Sequence, residues 1–342
     1  MPKGNDSMQT TDGTTGFAEI IGHADIIAHM QNAIRAGKIS HAYLLTGEKG
    51  SGKTQLAKTF AMALQCEKHG TDPCGVCPSC KKALSGNHPD IVYVRHDKPN
   101  SVSVDDIRGQ VVSDVAIRPY ESPYKVYIID DASKMTPQAQ NALLKTLEEP
   151  PAYAVLLLLA DNAEMLLPTI LSRCVMLRLK PVSDSEIKAF LMNRLHVPDY
   201  QAEIEASFAQ GNPGKARQIA ESPDFMEMVS AAVKTVKHSR DREVYEMIDE
   251  VRELTPGKQH IQDYLDIYTM WFHDVLMFKA TAEIDSLIFR EEAPAIRERA
   301  AVSSYEGLET ILNAIRTAED RLRANVNFDL TMELLFLTMK EN

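Results

Sequence analysis

Gly47-Glu48-Lys49-Gly50-Ser51-Gly52-Lys53-Thr54 fills every fixed position of the phosphate-binding pattern G-x-x-x-x-G-K-[ST]. Glycines there let the backbone curl until its N–H groups point at phosphate oxygens, beside the positive end of a following helix. Lys53 is then placed for the β- and γ-phosphates of a nucleoside triphosphate, and the Thr54 hydroxyl for Mg²⁺. The competing reading is a chance Gly-rich turn. The flanks favour the loop: Ala42-Tyr43-Leu44-Leu45 reads as a buried strand leading in, and Leu56, Ala57, Phe60, Ala61, Ala63 and Leu64 recur at helical spacing leading out. A second candidate pair, Asp130-Asp131, follows the apolar run Val126 to Ile129. An acid at the carboxyl end of a strand beside a phosphate loop can position Mg²⁺ and water; a solvated acidic turn is the alternative.

Four of the five cysteines, Cys66, Cys74, Cys77 and Cys80, fall within fifteen residues as C-x7-C-x2-C-x2-C, with Pro73, Gly75 and Pro78 among them. Four thiolates with no vacant position suit a tetrahedral, structural Zn²⁺. Disulfides are disfavoured in a reducing cytosol, and no thioredoxin-like pattern surrounds the pairs to support a redox role. His69 and His88 lie nearby and are expected at the surface, because the sulfurs already complete the shell. Cys174 is expected as a buried thiol ahead of the alternation Val175-Met176-Leu177-Arg178-Leu179.

These groups need a scaffold, and 342 residues suffice for two or three domains. With 25% charged and 44% apolar residues the composition is that of a soluble globular protein. No apolar run approaches the roughly 20 residues of a membrane span, and the polar N-terminus lacks a signal-peptide core, so a cytoplasmic compartment is expected. Residues 1–15, rich in Gly, Thr, Ser and Asp, read as a disordered leader. The net charge of −11 argues against a chain that coats DNA by itself. A basic patch, or DNA bound jointly with partners, stays open. Further apolar strands are expected at Ile91 to Val94, Val126 to Ile129, Val155 to Leu159 and Val175 to Leu179. Helical segments alternate with them, which argues for an α/β fold with a parallel sheet covered on both faces. Thr136-Pro137 reads as an N-cap and first position of a helix with Ala139, Ala142, Leu143 and Leu147 on its core stripe. Pro150-Pro151 ends it.

That helix carries Asn141-Ala142-Leu143-Leu144-Lys145-Thr146-Leu147-Glu148-Glu149-Pro150-Pro151, and Leu171-Ser172-Arg173-Cys174 follows downstream. Together with His41-Ala42-Tyr43-Leu44 before the loop and the cysteine quartet after its helix, these segments resemble the bacterial clamp-loader ATPases of DNA polymerase III, an AAA+ family. The resemblance runs from about Phe17 to the C-terminus and is strongest from Ser40 to Leu179. It implies an AAA+ P-loop domain over residues 16–180, with an inserted zinc module at 66–80, a helical lid at 181–222 and an all-α collar at 223–342. It also implies partners: gamma/tau and delta subunits, and through the assembly a sliding clamp and primed DNA. Arg173 resembles the arginine finger projected into a neighbour's ATP site; the less favoured alternative for it is a helix-end ion pair.

Within the family three features resemble the delta-prime type rather than the gamma/tau motor. The acid pair is Asp130-Asp131 where the motor pattern ends Asp-Glu. A carboxylate shortened by one methylene sits roughly 1 Å from its ideal place, which can cost about 10²-fold. In Gly211-Asn212-Pro213-Gly214-Lys215-Ala216, Gly214 stands where the motor carries an arginine that senses the γ-phosphate. Val326 lies between Asn325 and Asn327 in a segment resembling delta-prime, and the long proline-rich extension of tau is absent. Ala160 also stands where the family pattern implies a Thr or Asn, before Asp161-Asn162, a departure at the first sensor. The expectation is a chain that binds ATP or ADP with Mg²⁺ but turns it over weakly or not at all. The alternative is a self-sufficient motor resembling gamma. A third reading, an unrelated zinc-bearing P-loop kinase, leaves the Leu-Ser-Arg-Cys and Leu-Glu-Glu-Pro-Pro segments unexplained.

From Pro181 to about Ser222 the pattern is helical, opened by Ser183 and Glu186 at capping-box spacing. From Asp224 onward strand alternation is essentially absent. Tyr264, Ile267, Tyr268, Trp271, Phe272 and Val275 recur at helical spacing, as do Leu308, Ile311, Leu312 and Ile315. Trp271 and its neighbours read as core rather than as a base-stacking platform, and the segment suits a collar through which subunits associate. The runs Lys234 to Arg242 and Arg316 to Arg323 mix both signs and read as solvated faces.

Overall fold

Five apolar runs form one parallel sheet in the computed structural model, which describes residues 16–342 except 97, 99, 100, 241–245, 247–260, 285 and 325. The expected leader, Asn325 and the end of the run Lys234 to Arg242 lie outside the described residues. The strands are β1 (Ala42–Thr46), β2 (Ile91–Val94), β3 (Lys125–Ile129), β4 (Ala154–Ala160) and β5 (Val175–Arg178), in the spatial order β2-β3-β4-β1-β5. All neighbours run parallel, with Leu45 of β1 opposite Leu159 on one side and Leu177 on the other.

Alternate side chains of β4 feed two cores. Leu156, Leu158 and Ala160 pack with Ile107, Val111, Leu143, Leu147 and Ile170. Val155, Leu157 and Leu159 pack with Met30, Leu56, Phe60 and Leu64 on the opposite face. Each such fully buried aliphatic side chain contributes about 1.5–3 kcal/mol. The first face is covered by α4 (Val104–Ile107), α5 (Pro137–Glu148) and α6 (Pro168–Leu171). α1 (Ala24–Arg35) and α2 (Lys53–Gln65) cover the second. Both faces of the sheet are therefore dry, which is why its strands read as continuous apolar runs. α5 starts as its sequence predicts, with the Thr136 hydroxyl accepting from Ala139 N and Pro137 in the first turn.

Between α2 and β2 the chain detours through the cysteine module and α3 (Pro78–Leu84). Two expectations are corrected around it and downstream. His88 is not a surface residue: it is buried between Ser79, 3.0 Å from its Nε2, and the Asp90 amide, which donates to its Nδ1 at 3.1 Å. Both ring nitrogens find partners there, so burial leaves neither unsatisfied. Cys174 is only partly buried, packed on the rim of the first core.

Packing divides the chain into two compact units, one running through Phe190 with Gln210–Lys215 added, the other comprising Leu191–Ala209 and Ala216–Asn342. Ser183 opens α7 (Asp184–Leu195) with the reciprocal capping bonds its spacing predicts: Glu186 N to the Ser183 hydroxyl and Ser183 N to the Glu186 carboxylate. α8 (Asp199–Ala209) and α9 (Pro213–Ala220) follow, then α10 (Phe225–Lys237), α11 (Ile261–Thr281), α12 (Ala293–Val302), α13 (Tyr305–Arg323) and α14 (Phe328–Glu341). In the second unit Ile267, Tyr268, Trp271, Phe272 and Val275 are buried, with Trp271 edge-on to Phe272 at 5.1 Å. Trp271 is thus a core residue. Among the described residues no helix is long and apolar enough to cross a membrane.

Candidate nucleotide site, cysteine cluster and arginine edge

β1 ends at Thr46 and the chain turns at once through Gly47 to Gly52, so that Lys53 and Thr54 open α2. Gly50 and Gly52 hold φ of 89° and 99°, conformations that side-chain-bearing residues adopt only under strain. The turn points the first amides of α2 into the loop, where that helix's dipole favours an anion. Lys53 is 7% exposed, and its Nζ donates to the carbonyls of Gly47 (2.6 Å) and Glu48 (2.8 Å) and to Asp161 Oδ1 (2.7 Å). The Ser51 hydroxyl is buried with no hydrogen-bond partner among the described residues, an orphan that a phosphate oxygen would satisfy. His23 Nε2 lies 3.0 Å from the Ser51 carbonyl and steadies the loop from outside.

The two members of the acid pair part ways. Asp130 Oδ2 accepts from the Thr54 hydroxyl at 3.3 Å, so hydroxyl and carboxylate stand together as an Mg²⁺ would require. Asp131 takes a left-handed backbone, φ 52°, and its Oδ2 pairs with Lys134 at 2.8 Å and lies 3.8 Å from His96 Nε2. A base must reach the proton it removes, and here the second carboxylate is committed to a neighbouring cation. The loop, Thr54 and Asp130 thus fit a nucleotide with Mg²⁺.

The turn Gln210–Lys215 closes on the same loop. Asn212 Oδ1 accepts from the amides of Gly214 and Lys215, each at 3.1 Å, and so caps α9. Its amide donates to the Lys49 carbonyl at 2.9 Å, while Gly214 N donates to the Gly50 carbonyl at 2.9 Å. A Cβ built on Gly214 would stand 2.7 Å from both Gly50 Cα and Gly50 O. No side chain fits there while that contact holds.

Cys66, Cys74, Cys77 and Cys80 bring their sulfurs within 4.8 Å of one another, Cys74 and Cys80 to 4.0 Å. A tetrahedron of Zn–S bonds of about 2.3 Å has edges of about 3.8 Å. Backbone amides of Cys74, Cys77 and Cys80 each donate to a preceding sulfur at 3.4 Å, stabilising thiolates. Amides of Val76 and Cys77 pull the Cys74 thiol down to about 6, whereas burial pushes Cys80 up. Geometry and donor set fit a structural zinc. The module is fastened to the sheet domain: the Ser79 hydroxyl donates to the Gln65 carbonyl at 2.6 Å and accepts from His88. Asp90 takes the amides of Tyr120, Glu121 and Ser122 at 2.6, 3.0 and 3.1 Å. Burial pushes His88 below its usual value and keeps it neutral.

Arg173 follows α6 and is one-third exposed. Its guanidinium meets Glu148 Oε1 at 2.8 Å, the Thr169 carbonyl at 2.9 Å and the Ser172 hydroxyl at 3.3 Å. Among the described residues these are its polar partners; none belongs to the loop. The chemistry read from the sequence therefore resolves into three groups: the loop with Asp130, the four sulfurs, and Arg173 by itself. Asp161, Asn212, His23 and Glu148 join these groups without having been singled out. For Asp161 a partial signal existed, since it directly follows the apolar run that ends at Ala160.

A family described as "DNA polymerase III, delta subunit" matches residues 22–183. The DNA polymerase III subunit delta-prime of Bacillus subtilis is 32% identical over 316 residues, 91% of this chain and 94% of that protein. The tau subunit of the same organism is 31% identical over 294 residues, but the chain spans only 52% of its length. Among solved structures, a gamma subunit-related protein of Thermotoga maritima aligns over 92% of this chain and 98% of its own at 20% identity and a TM-score of 0.46. Near-complete coverage of a relative at this identity makes the chain a member of the clamp-loader family of DNA polymerase III subunits, the family of delta-prime, gamma and tau.

Proposed function

We propose that the chain is a delta-prime-type subunit of the clamp loader: it binds adenine nucleotide with Mg²⁺, hydrolyses it little by itself, and supplies Arg173 to a neighbouring ATPase subunit. The observation that carries this reading is Gly214 lying against Gly50 with no room for a side chain; the resemblance to the motor type implies a γ-phosphate-sensing arginine at this position. Gly47 to Thr54 would hold the phosphates, Lys53 would neutralise their charge, and Thr54 with Asp130 would hold Mg²⁺, which when bound polarises the phosphoryl oxygens. Asp131, paired with Lys134, is withdrawn from proton abstraction. Arg173 stabilises charge on a phosphoryl group presented by the neighbour, a role worth about 10³–10⁵ in rate where it operates. The partners are then gamma/tau and delta subunits, and, through the assembly, the sliding clamp and primed DNA. Cys66, Cys74, Cys77 and Cys80 hold one structural Zn²⁺, which elemental analysis of the purified chain detects and Cys80→Ser abolishes.

A motor-type reading has one observation in its favour, the intact loop with Thr54 beside Asp130. Single-turnover ATP hydrolysis by the chain, alone and with motor subunits added, decides between the two. Negligible hydrolysis alone is expected; turnover of roughly 1 s⁻¹ or more, in the ordinary enzyme range, overturns the delta-prime reading.

A further inference from the structure

We propose that Glu148 is the positioning residue of Arg173: its carboxylate holds the guanidinium in one arrangement at the edge of the sheet domain, ready for the neighbour's phosphoryl group. The inference rests on the trans-acting reading of Arg173. Glu148 is the last residue of α5, and a carboxylate there faces the negative end of the helix dipole. Helix physics alone disfavours it; the guanidinium at 2.8 Å offsets the charge. Thr169 and Ser172, fixed by α6, supply the other two acceptors. Three acceptors on one planar fork restrict an otherwise flexible arm before any encounter, so less ordering remains to be done when the phosphoryl group arrives.

Exposure of 34% for Arg173 and 50% for Glu148 sets the limits of this pair. An ion pair so wet adds little to stability. It also parts easily, because water takes over the carboxylate when the guanidinium swings away. Glu148 therefore orients without trapping. A buried pair could not do both.

The test compares wild type, Glu148→Gln, Arg173→Ala and the double variant in the assembly reconstituted with the motor and delta subunits of the same source. ATP hydrolysis is followed with sliding clamp and primed DNA present, kcat and KM being resolved separately. Thermal unfolding and nucleotide binding of each isolated chain are measured alongside. Glu148→Gln is expected to lower kcat roughly three- to tenfold, the scale of coupling between contacting residues, with KM and the unfolding temperature unchanged. In the Arg173→Ala background the same substitution should cost nothing more. Equal losses in both backgrounds would make Glu148 a merely structural residue and overturn the proposal. So would a wild-type kcat for Glu148→Gln beside an impaired Arg173→Ala, which leaves the arginine's own role standing. Arg173→Ala running at the wild-type rate would remove that role and this proposal together.

Discussion

The chain carries two cations suited to phosphoryl chemistry, and their surroundings differ sharply. Lys53 is nearly sealed, and its three acceptors belong to the phosphate loop and the strand end beside it. Arg173 is one-third exposed and held at the domain edge by one carboxylate, one carbonyl and one hydroxyl. A buried ammonium left without partners is costly, so Lys53 stays where its acceptors are. A half-wet guanidinium exchanges partners at little cost. On the proposed function, burial thus separates a cation kept for this chain's own site from one that can be lent to another.

Substituting each cation in turn is the strongest way to break that contrast. Arg173→Ala is expected to leave the chain's folding and nucleotide binding unchanged while cutting the ATPase of the reconstituted complex about tenfold or more. Rates equal to wild type would reduce Arg173 to a helix-end cation. Lys53→Ala should behave in the opposite way. Losing a charge-assisted contact of about 1.5–3 kcal/mol weakens nucleotide binding by the isolated chain roughly ten- to hundredfold, as titration calorimetry would read. Catalysis at the neighbour's site should change far less. If Lys53→Ala lowers the complex's ATPase as much as Arg173→Ala does, the division of labour fails.

Much of this contrast was open to sequence reasoning, and the rest was closed for a physical reason. The strand–loop–helix unit, the Thr136 cap, the Ser183–Glu186 box and the cysteine quartet are local patterns whose partners lie within a few residues. The sheet strands were legible because both faces are dry. By contrast, Asn212 meets Lys49 across 163 positions and Lys53 meets Asp161 across 108. No periodicity encodes such pairs; they follow from the order of strands and the return of the chain after α8. His88 departs from its expected surface place because its burial depends on Ser79 of the cysteine module and on Ser122, 34 positions away, not on its neighbours' types. The presence of Gly214 in the segment Gly211 to Ala216 was legible. Its fit against Gly50 was not, because only tertiary packing brings that backbone close.

That fit sharpens the contrast at the nucleotide end. If Gly214 were simply a lost sensor, Gly214→Arg should restore motor behaviour. A side chain there collides with Gly50, and overpacking of this kind typically costs about 1–3 kcal/mol. The expected outcome is a lower unfolding temperature with no gain in turnover by the isolated chain. A gain of tenfold in single-turnover hydrolysis would show that the turn opens freely and that the glycine is only an absence.

The smallest effect is expected at the acid pair. Asp131→Glu supplies the glutamate that the resemblance implies for the motor type, and on spacing alone it should raise hydrolysis by as much as about 10²-fold. The geometry argues otherwise. Residue 131 sits in a left-handed turn with its carboxylate drawn to Lys134 and His96, while Asp130 faces Thr54. One added methylene lengthens the arm without turning it around, and the glutamate can still reach Lys134. Single-turnover hydrolysis by Asp131→Glu should therefore stay within about threefold of wild type, since a base that cannot reach its proton contributes nothing. Lys134→Ala combined with Asp131→Glu is the stricter version, because it frees the longer carboxylate. A large rise in the double variant but not the single one would identify the Lys134 pair as what keeps this site quiet. A large rise already in Asp131→Glu would mean that side-chain length alone had done so. The nucleotide end would then be one methylene away from acting as a motor.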